Sequence, residues 1–215
     1  MWDLLIFDLD GTLVDSRRDI AIGVNHALGA VAGLAVPEAR VFPHIGGSLR
    51  GTFADLAPGL ADASYDAMVE AYKAFYFDHC AVHTRPYPGV IETLAKLAGA
   101  PKAVATTKRT FMARRVTEVL GLAPLVDLVQ GTDDGTPIKP APDLFLQVME
   151  RFAARPGKTL VVGDTVHDVR AGKAAGCFTV AVTYGIGARD ALAAAGPDRL
   201  IDSFPEIAAI ANVTP

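Results

Sequence analysis

The sequence predicts an α/β fold with a mainly parallel sheet, and three observations carry that prediction. Short runs rich in Val, Ile and Leu recur along the chain, helical stretches separate them, and one long early gap breaks the alternation. Strands buried on both faces read as continuous apolar runs, and alternating strands and helices mark a crossover-connected sheet with right-handed winding. At 215 residues the chain suits one large domain, or a core carrying a smaller insertion.

The first strand is read at residues 4–7. No convincing strand follows until about Lys102, so the gap must be something else. Ile20, Val24, Ala27, Leu28 and Val31 fall at helical spacing, with Ser16 as the expected N-cap and Asp19 three residues on. A second helix is expected over 65–77, where Met68, Val69, Tyr72, Phe75 and Tyr76 form an apolar stripe that reads as helix-packing core. Arg85-Pro86-Tyr87-Pro88-Gly89 is punctuation that ends the insert. Strands are then expected at 103–105, 126–129, 159–162 and 179–182, alternating with helices over 111–120, 143–152 and 166–175. The core is therefore residues 1–15 and 86–215, and the insert residues 16–85.

Composition narrows the function. Hydrophobic residues make up 51% and charged ones 20%, a globular balance. A net charge of −4 gives no cationic field for nucleic acid. Mean hydropathy is +0.29, yet no apolar run is long enough to span a membrane. The opening MWDLLIFDLDG has no basic leader, and Asp8 breaks its apolar stretch, so export is not expected. Cys80 and Cys177 lie far apart without CxxC spacing, which supports neither a disulfide framework nor zinc; His79 and His83 near Cys80 lack a fourth ligand. A cytoplasmic protein is expected, monomeric or homodimeric.

Chemistry gathers at predicted strand ends. Asp8 and Asp10 follow the first strand and, on extended chain, point to one face. Two carboxylates so close repel unless a cation sits between them, and a hard divalent ion such as Mg2+ fits oxygen ligands. Gly11 permits a close backbone approach. Thr106-Thr107-Lys108 offers a hydroxyl at the next strand end, where backbone amides enter a helix and suit phosphate. In Lys139-Pro140-Ala141-Pro142-Asp143 the prolines are expected to hold the chain extended and aim Lys139. Asp164 follows another strand, and Asp168 stands one helical turn on.

These stations, DLDGTLVDS, TTK, KPAPD and VGDTVHD, resemble in order the four motifs of the haloacid dehalogenase superfamily. The resemblance implies a doubly wound, Rossmann-like core with a small α-helical cap of the subfamily I type. It implies an Mg2+-dependent phosphatase that forms a phosphoaspartate on a small phosphorylated metabolite. Asp8 would be the nucleophile, Asp10 the acid and base, and Lys139 a catalytic cation. The metal would be held by Asp8, the Asp10 carbonyl and Asp164, with Asp168 binding through water or orienting Lys139. Thr106, Thr107 and Gly11 would flank the phosphate. Dehalogenases of the superfamily lack an acid at the position of Asp10, so Asp10 argues for phosphoryl transfer.

Within the family, DLDGTLVDS, HIGG at 44–47 and KPAPD are most similar to the phosphoglycolate phosphatase branch, although Thr107 stands where that branch commonly has Asn. Arg50 could meet a substrate carboxylate bidentately, and His44 could polarise a substrate group. Two rival readings are a sugar-phosphate mutase of the same subfamily and a non-catalytic binding protein that keeps the fold.

Overall fold

The computed structural model describes residues 1–97, 99–133 and 135–212. Its strands are β1 (Leu4–Phe7), β2 (Val14–Asp15), β3 (Arg85–Pro86), β4 (Lys102–Ala105), β5 (Leu128–Gln130), β6 (Thr159–Gly163), β7 (Phe178–Val182) and β8 (Arg199–Ile201). The helices are α1 (Arg17–Ala32), α2 (Glu38–Val41), α3 (Leu49–Leu56), α4 (Asp62–His79), α5 (Val90–Lys96), α6 (Thr110–Val119), α7 (Asp143–Arg151), α8 (Val166–Ala174), α9 (Arg189–Ala195) and α10 (Ile207–Ala211). Six strands form one parallel sheet in the order β5-β4-β1-β6-β7-β8, so the predicted α/β class holds. β1 lies inside the sheet between β4 and β6, and its end opens where the chain order reverses, the usual ligand position in such sheets.

Alternation along β1 explains its unbroken apolar run. Leu5 and Phe7 join the core on one face, with Val104, Leu160 and Val180, while Leu4 and Ile6 pack on the other against Leu144, Phe145 and Val148 of α7. All four β1 side chains are buried. Each contributes roughly 1.5–3 kcal/mol on transfer from water.

β2 and β3 pair antiparallel, with Val14 opposite Pro86 and Asp15 opposite Arg85. The four helices α1–α4 run between them. Residues 85–89, read as simple punctuation, thus begin with a strand that brings the exit of the helical insert beside its entrance. α1 and α4 pack closely: a Cβ on Gly23 would lie 2.9 Å from Tyr72 Cε2, and His26 stacks on Phe75 at 4.2 Å between ring centres. Ile20, Val24, Leu28, Phe53, Met68 and Tyr76 are buried here, as the helical spacing required.

Ser16 holds the N-cap position of α1 as expected, but its side chain makes no capping bond. Its hydroxyl donates to Asp10 at 2.6 Å instead of capping α1. Asp19 likewise makes no capping box; its carboxylate accepts from the His83 amide and from the Thr84 amide and hydroxyl. A more distant partner outcompetes the local motif in both cases.

The strands differ from the expectation at two places. The expected strand at 126–129 is displaced to β5, because residues 123–125 form a 3-10 turn that Val126 terminates. β8 was not foreseen, since three residues beginning with an exposed Arg199 make no apolar run. Among the described residues no helix is long and apolar enough to cross a membrane.

Candidate active site

Asp8 continues β1, and its amide donates to Val162 in β6, so the sheet ladder itself fixes the first carboxylate. Two residues on, the chain turns back: the Leu13 and Val14 amides both reach the Leu9 carbonyl, and the Gly11 amide donates to Val14. This turn sets Asp10 above Asp8 and presses Gly11 against Asp164. Gly11 has φ +88°, and a Cβ there would lie 2.1 Å from Asp164 Oδ2, so no other residue fits without displacing that carboxylate.

Lys139 reaches in from the loop before α7. Its ammonium donates to Asp8 Oδ1 at 2.7 Å, to Asp168 Oδ1 at 2.7 Å and to the Ala105 carbonyl at 2.8 Å, which uses all three of its N–H groups. Pro142 takes the helical conformation as N-cap of α7 rather than the extended one expected, because the ring's fixed φ also suits a helix start. Asp168 Oδ2 accepts from the Thr165 amide and hydroxyl, completing a capping box at α8. Both oxygens of Asp168 are therefore engaged, one of them holding Lys139.

Asp164 ends up fully buried. Oδ1 accepts from Thr12 at 3.1 Å and Oδ2 from the Ile186 amide at 2.7 Å, while Tyr184 steadies the Thr12 carbonyl at 2.8 Å. The roles of Thr12, Tyr184 and Ile186 had no signal in the sequence, because they meet Asp164 only through the fold.

Ligand atoms of Asp8, Asp164 and Asp168 lie within 4.8 Å of one another, the sole such group among the described residues. Burial pushes the Asp8 carboxyl up to about 7, Lys139 opposes that rise, and the neighbouring Asp168 and Asp10 charges add to it. Burial likewise holds Asp164 well above the usual carboxylate range, with Asp168 and Asp8 contributing. Lys139 is raised: burial works against its charge, but Asp168 and Asp8 outweigh it. Three carboxylates with one lysine form an uncompensated all-oxygen donor set, which fits a hard divalent cation. His79 contacts the Phe75 carbonyl and stacks on its ring. Cys80 and Cys177 are free and buried.

Thr106 stands at the end of β4, beside β1, buried, with its hydroxyl accepting from the Lys108 amide. Thr107 lines a cavity of about 460 Å³ between the strand ends and the inserted helices. Asp10, Thr107 and Lys108 border it from the sheet, and His44, Arg50, Tyr72 and Tyr76 from the insert. The stripe on α4 is thus both core and cavity wall: Met68, Tyr72 and Tyr76 are buried, and Val69, Tyr72 and Tyr76 border the space. Arg50 borders the cavity with a half-exposed guanidinium that pairs with Asp62 at 2.7 Å and Asp66 at 3.1 Å. His44 lies 3.5 Å from Asp55. Lys108, given no role by sequence reasoning, sits 3.2 Å from Asp10 Oδ2.

Residues 5–182 match the model of the haloacid dehalogenase-like hydrolases. The chain belongs to that family. Among its relatives, the phosphoglycolate phosphatase of Aquifex aeolicus is 34% identical, over 85% of each chain. The probable phosphatase IndB of Dickeya dadantii is 36% identical, over 99% of this chain and 94% of its own. A solved structure from Haemophilus somnus, titled a predicted phosphoglycolate phosphatase, superposes with a TM-score of 0.87 at 30% identity and covers 97% of both chains. This haloacid dehalogenase-like hydrolase is an enzyme of the phosphatase kind. Phosphatases of the family generally use a metal, and the carboxylates around Asp164 suit one.

Proposed function

We propose that the enzyme hydrolyses a small phosphomonoester through a phosphoaspartate on Asp8, with Mg2+ as cofactor and phosphoglycolate as the leading substrate. The observation that carries this reading is the contact of Lys139 with both Asp8 and Asp168 at 2.7 Å, at the mouth of the central strand. Two relatives named as phosphatases, one of them for phosphoglycolate, support the substrate class.

Asp8 is a weak nucleophile toward a dianionic ester, so the site must cancel charge on the phosphoryl oxygens. Lys139 supplies one fixed cation, held by Asp168 and the Ala105 carbonyl. A magnesium ion bound by Asp8, the Asp10 main-chain carbonyl and Asp164 would supply further positive charge to the same oxygens. The Thr106 hydroxyl and the amides after it would hold the phosphoryl group.

In the first step an Asp8 oxygen bonds to phosphorus as the ester bond breaks, and Asp10 gives its proton to the leaving oxygen. In the second, Asp10 takes a proton from water, whose oxygen attacks phosphorus and frees Asp8 with inorganic phosphate. Ser16 steadies Asp10 for both steps through the 2.6 Å hydrogen bond to Oδ1. Residues 16–85 would act as a cap that excludes bulk water and reads the leaving group.

The test is phosphate release with Mg2+ from phosphoglycolate, glycerol phosphate, sugar phosphates, nucleotides and pyrophosphate, ranked by kcat/KM. Turnover that chelator and Asp8→Asn both abolish is expected; a purified Asp8→Asn enzyme at the parent rate would overturn the reading.

A further inference from the structure

Asp10 does not border the cavity alone. Lys108 Nζ lies 3.2 Å from Asp10 Oδ2 and 3.3 Å from the Tyr76 hydroxyl, with the Tyr76 ring centre at 4.5 Å. The side chains of both Lys108 and Asp10 are 10% exposed, and Tyr76 is wholly buried. Among the described residues these are the two polar partners of the ammonium, which carries three N–H donors. Lys108 itself borders the cavity, whose wall also includes Thr107, Tyr72 and Met112.

The two cations that border the cavity from the inserted helices, Arg50 and Lys73, each have a carboxylate partner. Arg50 is tied to Asp62 and Asp66, and Lys73 to Glu70 at 2.6 Å. Lys108 is a fixed, nearly buried cation beside the carboxyl group that meets the ester's bridging oxygen. An ester whose bridging oxygen sits on Asp10 places the substituents of the next carbon against that ammonium. A carboxylate on that carbon gives Lys108 a charged acceptor; a neutral substituent leaves a buried donor poorly served.

We propose that Lys108 is the specificity-determining residue of this site and reads a carboxylate on the carbon next to the ester oxygen. The substrate class is then the phosphate esters of 2-hydroxy acids, of which phosphoglycolate is the smallest. A cavity of about 460 Å³ has room for substituents on that carbon as well. The inference rests on the phosphomonoesterase reading above and assigns to Lys108 the role that the sequence offered to Arg50.

The experiment compares kcat/KM for phosphoglycolate with that for 2-hydroxyethyl phosphate, in which a neutral CH2OH replaces the carboxylate, using wild type, Lys108→Met and Lys108→Arg with Mg2+. Wild type is expected to prefer phosphoglycolate. Lys108→Met should lower the preference ratio by roughly 10- to 100-fold, the scale of a hydrogen bond to a charged group, mainly through KM. Lys108→Arg should restore part of it. An unchanged ratio in Lys108→Met, whatever the absolute rates, would overturn the inference, as would a wild type without preference, a result that needs no variant to fold. Hydrolysis of neither ester by wild type would overturn this inference, and the phosphomonoesterase reading with it if no ester of the wider panel is hydrolysed; turnover of both with a constant ratio would overturn this inference alone.

Discussion

Lys139 Nζ and Asp168 Oδ1 stand 2.7 Å apart with both side chains 3% exposed, a buried pair that also holds Lys139 against Asp8. Asp168 spends its second oxygen on Thr165, so it is built to aim the lysine. Asp168→Asn should therefore lower kcat by about 100-fold or more, the scale of losing a preorganised charge contact, and change the Mg2+ concentration for half-maximal activity much less. Asp164→Asn should do the reverse and weaken the response to Mg2+. Magnesium titrations of both variants check this; equal shifts would make Asp168 a metal ligand of the same standing.

Gly11 gives a sharper steric prediction. With φ +88° and a virtual Cβ 2.1 Å from Asp164 Oδ2, Gly11→Ala must displace the carboxylate or the turn. The backbone strain alone costs about 1–3 kcal/mol. Activity should fall to background while far-UV circular dichroism keeps its shape, and chemical denaturation should show the lost stability.

The buried carboxylates predict how stability depends on pH. Asp8 is pushed up to about 7 and Asp164 well above its usual range, whereas unfolded carboxyls titrate near ~3.9. Between those values the folded, metal-free enzyme binds more protons than the unfolded chain, so these groups destabilise it as pH rises through that window. Mg2+ needs them deprotonated, so its stabilising effect should grow over the same range. Thermal melts at about pH 5 and about pH 8, with and without Mg2+, check the sign: the Mg2+ increment in Tm should be larger at pH 8. An increment independent of pH would contradict the assignment.

Asp19 joins the start of α1 to the chain returning from α4. Replacing it by Ala leaves the His83 amide and the Thr84 amide and hydroxyl without their acceptor, in a place where Asp19 and Thr84 are buried. Asp19→Ala should cost about 3 kcal/mol, read from urea unfolding. Met68→Ala in the inserted helices should cost about 2–5 kcal/mol by the same measurement, because its side chain is fully buried.

Much of this was readable from residues 4–7, 103–105, 159–162 and 179–182, because strands buried on both faces leave continuous apolar runs. Asp8, Asp10 and Asp164 stood out because charge at the ends of such runs is costly without a purpose, Lys139 because prolines follow it, and Asp168 because it stands one helical turn after Asp164. β2 and β3 were not readable, being two residues each and held by a pairing across the whole insert. Nor were Thr12 and Tyr184 against Asp164, or Lys108 against Asp10, since side-chain partners distant in sequence leave no local period. Asp19 misled for the same reason: a capping box is local, and its partners His83 and Thr84 are not.

The central claim, that Asp8 carries the phosphoryl group, is tested most directly by rapid acid quench of a single turnover with substrate radiolabelled at phosphorus, followed by peptide mapping. Transient label on the peptide containing Asp8, labile to hydroxylamine and absent from Asp8→Asn, is the result expected. Phosphate release at the full rate with no label on protein at any time would contradict it.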